Sequence, residues 1–211
     1  MSYPQPPWTL KGYAFQTVQL LDIAQVRPLI PAKLNIISVL PGKTVGGVYL
    51  SQYSSGSVLK YSELIIIAGF LSYEGKFGGW VSHIYVDNPD SVAGGREVWG
   101  LPKELAQFSW TENSVTVSQA NKLLCKLDYK RQSFGLPLKL GASAFSCQGS
   151  NLLIFPASVE SRFGLVSSKL EIPSTSPFAG LNISQPILTV HSDRLSLVVD
   201  APTVIGQTAN Y

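Results

Sequence analysis

The sequence predicts a mainly β protein, a single-domain antiparallel β-barrel with few short helices, on three observations. Short apolar or alternating runs rich in Val, Ile, Tyr and Phe recur along the whole chain. Eighteen glycines and fourteen prolines, with Ser and Asn, punctuate those runs at close spacing, as in an all-β domain closed or doubled over. No repeat period, heptad or composition break divides the 211 residues, a length that one domain with a sizeable core accommodates, so 1–211 reads as one unit.

Taken in order, Tyr3 to Pro7 carries three prolines and forms an extended arm within residues 1–9, because proline fixes φ and donates nothing to a ladder. Strands are expected at 13–20, 35–40, 45–53, 59–73, 80–86, 106–110, 114–118, 123–129, 152–155, 163–172, 187–190 and 195–199. Asp22 is placed to cap a short helix over Ile23–Leu29, limited by Pro28 and Pro31. Asn88-Pro89 supplies a capping residue with proline at the first helical position, which starts a second short helix running into Gly94-Gly95. Prolines 173, 177 and 186 mark a long loop between late strands.

Charge and cysteine content exclude several classes. A net charge of +3 with basic residues scattered singly does not predict a nucleic-acid surface. The longest apolar run, Leu64 to Leu71, is eight residues and too short for a membrane span. Met1–Trp8 has neither the basic nor the apolar region of a signal peptide, and Cys125 and Cys147 form neither a disulfide framework nor a metal site by themselves. The expectation is a cytoplasmic protein with two structural thiols and no bound metal or cofactor.

Chemistry concentrates in Gly94-Gly95-Arg96-Glu97-Val98-Trp99-Gly100-Leu101-Pro102-Lys103-Glu104-Leu105. With an ordinary pKa near 10.4, a lysine at pH 7 presents a neutral amine about once in a few thousand molecules. Surroundings as apolar as Trp99, Leu101 and Leu105 disfavour the ammonium, and a lysine kept neutral attacks carbonyl carbon. If residues 103 onward are extended, Lys103 and Glu104 point to opposite faces. His83 and His191 lie in strand patterns without the partners of a catalytic triad and read as structural.

Tyr85-Val86-Asp87-Asn88-Pro89, then Gly95-Arg96-Glu97, then Pro102-Lys103 resembles the signature block of the acetoacetate decarboxylase family, and Tyr61-Ser62-Glu63 resembles that family's Tyr-x-Glu element. The resemblance implies a cone-like β-barrel, a homo-oligomer, and a small-molecule carbonyl substrate handled without a cofactor. It implies Lys103 as the Schiff-base nucleophile and Glu63 as a catalytic carboxylate, with Tyr61 beside the substrate and Lys11 meeting a substrate carboxylate; Trp99, by its apolar setting, reads as core or as the pocket wall that binds the substrate. Two departures stand beside it. Glu104 occupies the place of a second lysine that follows the first in the best-known pattern, and Val48 stands where that pattern has a further carboxylate. Lys11 retains the charge but not the bidentate fork of the arginine expected there. The chain also resembles a plant branch of the family linked to neoxanthin accumulation. That likeness carries a rival reading, in which the barrel binds an apolar, carotenoid- or lipid-related molecule and Lys103 is incidental.

Overall fold

In the computed structural model, residues 3–130, 135–183 and 185–208 are described. Strand β1 (Trp8–Asp22) leads into helix α1 (Ile23–Val26) and a 3-10 turn, Arg27–Leu29. Then come β2 (Asn35–Ile36), β3 (Lys43–Tyr53), β4 (Tyr61–Tyr73), β5 (Lys76–Val86), helix α2 (Pro89–Trp99) and β6 (Lys103–Leu105). The chain continues through β7 (Gln107–Trp110), β8 (Ser114–Gln119), β9 (Lys122–Tyr129), β10 (Leu136–Gln148) and β11 (Asn151–Leu165). It finishes with β12 (Ser168–Glu171), a 3-10 turn Ala179–Leu181, β13 (Leu188–Val199) and β14 (Thr203–Gln207).

Two sheets result. In the larger, β4, β3, β1, β13, β11, β10 and β5 follow one another, and the β4–β5 pairing closes them into a ring that is nearly a barrel. The closure is thinnest where β10 meets β5, a parallel contact of two register pairs at Ala144–Gly79 and Phe145–Trp80. Strands β7, β8, β9 and β12 form a smaller antiparallel sheet. A single apolar cluster joins the two, running from Phe15, Leu50, Ile66 and Phe145 of the ring to Val115, Val117, Leu127 and Leu170 of the small sheet. Among the described residues, no helix is long and apolar enough to cross a membrane.

Where the observed elements differ from the expected ones, pairing explains the difference. The expected strand 35–40 pairs only at Asn35–Ile36 and then turns back through a Leu40–Lys43 bridge. The run 163–172 breaks at Val166-Ser167, where the chain leaves the ring for the small sheet. The runs 187–190 and 195–199 are one strand, β13, continuous through a bulge opposite Glu160–Arg162. Strands β10 and β14 lack a sequence signal. In β10 the small residues Gly141, Ala142, Ser143 and Ala144 have weak strand preference, and its partner β11 supplies what they lack.

The helices follow their caps unequally. Asp22 makes no capping bond and instead pairs with Lys43 at 2.7 Å, and the helix expected over Ile23–Leu29 tightens to 3-10 geometry at Arg27. Asn88 caps α2 as expected, accepting from the amides of Asp90 at 2.9 Å and Ser91 at 3.1 Å, with Pro89 at the first helical position. The helix then runs on through Gly94-Gly95 to Trp99 and stops at Gly100 in the left-handed region, whose N–H returns to Arg96 and Gly95 carbonyls. From there Leu101-Pro102 delivers the chain into β6, parallel to β5, with Lys103 opposite Ile84.

Candidate active site

Lys103 is the inward residue of a three-residue strand, and its neighbours Glu104 and Leu105 are exposed. Its aliphatic chain runs along α2 past Gly95, where a β-carbon would lie 2.7 Å from Lys103 Cε and closer still to Cδ. The missing side chain of Gly95 is therefore the channel through which the lysine reaches inward. At its end Nζ meets Glu63 Oε1 at 2.8 Å and the hydroxyl of Ser91 at 3.0 Å. Both charged side chains are almost wholly removed from water, at 4% and 6% exposure. A buried pair of this kind gains from mutual attraction only while each partner is present, since either ion alone is costly there.

Aromatic rings enclose the amine. Nζ lies 5.0 Å from the centre of the Tyr61 ring and 5.7 Å from that of Trp8. The far carboxylate oxygen, Oε2 of Glu63, accepts from the Tyr53 hydroxyl at 3.2 Å, and that hydroxyl is 3.2 Å from Tyr49 Oη. Desolvation is the main cause that pushes all three phenols up from their ordinary range, with the Glu63 charge adding to it. They are consequently neutral hydrogen-bond donors at physiological pH.

The remaining motif residues build the frame. Asp87 Oδ1 accepts from the Ser62 amide at 2.6 Å and so ties the strand bearing Glu63 to the turn before α2. The Asn88 side chain also donates to Lys60 O at 3.2 Å. Arg96 Nε donates to the Lys103 carbonyl at 2.8 Å, fixing the backbone beneath the amine. Glu97 accepts from the Tyr3 hydroxyl at 2.6 Å, which fastens the N-terminal arm over α2.

The structure thus brings Lys103, Glu63 and Tyr61 together. Trp99 is placed differently: it packs edge-on against Trp8 at 4.8 Å and donates from Nε1 to Asp200 O at 2.8 Å. The tryptophan ring that the Lys103 amine meets is that of Trp8, from β1. Lys11 is exposed, and its side chain lies against Gly56 at the 54–58 turn, because alternation along β1 turns Leu10 inward and Lys11 outward. Glu104 also faces outward and accepts from Gln119 Nε2 at 2.9 Å. Val48, at the place of the family's further carboxylate, is buried in the core.

Four residues of the cluster carry no sequence signal of their own: Trp8, Tyr49, Tyr53 and Ser91. Two of them become legible once β3 and β4 are read as a hairpin. Its register sets Ser51 opposite Glu63 and Tyr53 opposite Tyr61, with Tyr49, Ser51 and Tyr53 on one face. Ser91 requires knowing that α2 returns alongside β6. Among the described residues, no group of three or more His, Cys, Asp and Glu is placed to hold a metal ion.

A near-barrel of strands that holds one amine against one carboxylate, both out of water, defines a class of protein built around a sequestered lysine. Comparison with known proteins gives that class its family: residues 1–167 match acetoacetate decarboxylase (ADC), and the chain belongs to this family. It is 32% identical over 107 residues to Protein NEOXANTHIN-DEFICIENT 1 of Oryza sativa subsp. japonica, 51% of this chain and 35% of that protein. The protein of the same name from Arabidopsis thaliana is 29% identical over 134 residues, 64% of this chain and 46% of the relative. The match therefore spans less than half the length of these plant relatives. In fold, the chain is similar to acetoacetate decarboxylase from Legionella pneumophila, with a TM-score of 0.82 at 15% identity, covering 98% of this chain and 90% of that one. It is also similar to the enduracididine biosynthesis enzyme MppR complexed with pyruvate, with a TM-score of 0.64 at 16% identity and coverage of 97% and 90%.

Proposed function

We propose that this protein is a lyase that forms a Schiff base between Lys103 and a β-keto acid or related carbonyl compound and releases carbon dioxide. The observation that carries the reading is the buried 2.8 Å pairing of Lys103 Nζ with Glu63 Oε1. Passing one proton from Nζ to Oε1 converts the ion pair to a neutral amine beside a carboxylic acid. The amine lone pair attacks the carbonyl carbon and forms a carbinolamine, with the oxygen taking up the proton that nitrogen sheds. Glu63 then protonates that hydroxyl, water departs with the C–O electrons, and nitrogen closes the C=N bond as an iminium. The iminium accepts the electrons of the bond to the carboxylate, so carbon dioxide leaves and an enamine remains. Carbon protonation and hydrolysis return product and lysine.

Tyr61 and Ser91 border the reacting nitrogen, the Tyr61 ring centre 5.0 Å and the Ser91 hydroxyl 3.0 Å from Nζ. Family membership and the pyruvate complex of MppR support a small carbonyl substrate. The rival reading, a barrel holding an apolar ligand, draws on the plant relatives. The hydroxyls and charges of Tyr49, Tyr53, Ser91, Glu63 and Lys103 weigh against it, since a group of buried polar side chains bonded to one another offers an apolar ligand little apolar surface to pack on.

The test is incubation with a panel of β-keto acids, addition of borohydride, and mass analysis of the peptide containing Lys103. A reduced adduct on Lys103 and release of carbon dioxide are expected, and no adduct with any keto acid would sink the proposal. The homo-oligomer belongs to the same proposal. Sedimentation showing a 22.8 kDa monomer at all concentrations removes it.

A further inference from the structure

We propose that Tyr53, backed by Tyr49, is a positioning residue that holds Glu63 by one oxygen and leaves the other free to exchange a proton with Lys103. The inference rests on the Schiff-base reading and adds a control over how Glu63 is presented to the lysine. The geometry is a chain of four groups: Tyr49 Oη to Tyr53 Oη at 3.2 Å, Tyr53 Oη to Glu63 Oε2 at 3.2 Å, and Glu63 Oε1 to Lys103 Nζ at 2.8 Å. Register explains why Tyr53 can do this. It stands opposite Tyr61, so its ring leans diagonally over β4 to the carboxylate two residues on, while Ser51 takes the place directly across from Glu63.

A carboxylate held at one oxygen by a phenol has its plane and its second oxygen fixed, which aims Oε1 at Nζ. Burial keeps Tyr53 and Tyr49 protonated, so neither competes for the proton that Nζ gives up. The groups facing the pair come from every element around it. Strand β3 supplies Tyr49 and Tyr53, β4 supplies Tyr61, and the turn before α2 supplies Asp87, whose charge reaches Tyr61. Strand β1 and helix α2 add Trp8 and Ser91, which do not titrate. Tyr53 is thus the donor that holds Oε2, the carboxylate oxygen turned away from Nζ.

Removing it has a defined effect. In Tyr53→Phe the carboxylate loses the donor that fixes Oε2, so Oε1 is no longer aimed at Nζ. The rate of borohydride trapping on Lys103 at saturating keto acid is expected to fall about tenfold, the worth of one hydrogen bond to a charged group, with keto-acid affinity unchanged. Carbon dioxide release falls with it, because Glu63 is held less well for protonating the departing hydroxyl. Tyr49→Phe, which removes only the backing group, lowers the rate by less. That second variant keeps the test open where Tyr53→Phe fails to fold.

The same variants are read through the 13Cε resonance of Lys103, assigned with Lys103→Met, a measurement that needs no turnover. A changed Lys103 resonance in both tyrosine variants of a protein that traps no keto acid upholds the positioning role and removes the Schiff-base reading. Trapping at the parental rate in both tyrosine variants overturns the positioning role and leaves the Schiff base standing.

Discussion

Gly95→Ala separates the stability of α2 from the placement of the lysine that threads past it. Gly95 is in the interior of the helix, where alanine is favoured over glycine by about 1 kcal/mol. Against that gain stands a new methyl 2.7 Å from Lys103 Cε, where carbon atoms prefer about 3.5–4.0 Å. The lysine chain must therefore yield by roughly 1 Å. Overpacking of this size costs about 1–3 kcal/mol, and a flexible lysine tail belongs at the low end. The two effects nearly cancel, so the melting temperature moves by only a few degrees. Reactivity does not share the cancellation. Nζ is drawn from Glu63 and Ser91, and a misplacement of about 1 Å at a reacting group is worth on the order of 100-fold in rate. The assay pairs a thermal melt with the rate of borohydride-dependent adduct formation at saturating keto acid. A variant that melts like the parent and traps at the parental rate would refute the claim that Gly95 opens the lysine's channel.

Other substitutions probe the frame and the burial. Lys103→Met abolishes trapping and strands Glu63 as an unpaired buried ion, a loss of about 3–5 kcal/mol in denaturant unfolding. Adding Glu63→Gln to it recovers most of that loss, and a double variant no more stable than the single would contradict the pairing. Arg96→Ala removes the donor to the Lys103 carbonyl, with an expected cost of about 1 kcal/mol and slower trapping at unchanged substrate affinity. Trapping at the parental rate would place Arg96 outside the support of the site. Burial lowers the His83 pKa, so the unfolded chain binds the proton more readily below pH 6.5. Stability is therefore full above pH 6.5 and falls as pH drops through the interval down to the folded-state pKa. His83→Gln should flatten that segment of the stability profile. Burial also pushes the Cys125 thiol up to about 12, so thiol reagents at pH 8 should label Cys147 first and Cys125 only on unfolding. Rapid labelling of Cys125 in the native protein would show its strand pairing to be open.

Legibility in the sequence followed the range of the interaction. The Asn88-Pro89 start of α2 was readable because a cap acts within three residues, and the end of the helix was not. Gly94-Gly95 looks like a stop, yet both glycines lie inside α2, where they admit Trp8 and Lys103. Strand β10 was invisible for a related reason, since its small residues pair only because β11 lies beside them. Lys103 and Glu63 could be singled out from motif spacing. Tyr53 and Ser91 could not, because each reaches the lysine through a neighbouring strand or helix.

The sequence by itself determined the mainly β class, the family, the capped helix before Lys103 and the outward face of Glu104, which alternation along a short strand dictates. Only the tertiary structure decided which groups surround the amine. It turned Lys11 to the surface, brought Trp8 rather than a ring of the motif segment to the amine, and assembled Tyr49, Tyr53, Glu63 and Ser91 around Nζ from three separate elements. The physical reason is one of range: caps and strand alternation act over a few residues, whereas a buried charge needs partners on every side, and only the closing of the ring brings those together.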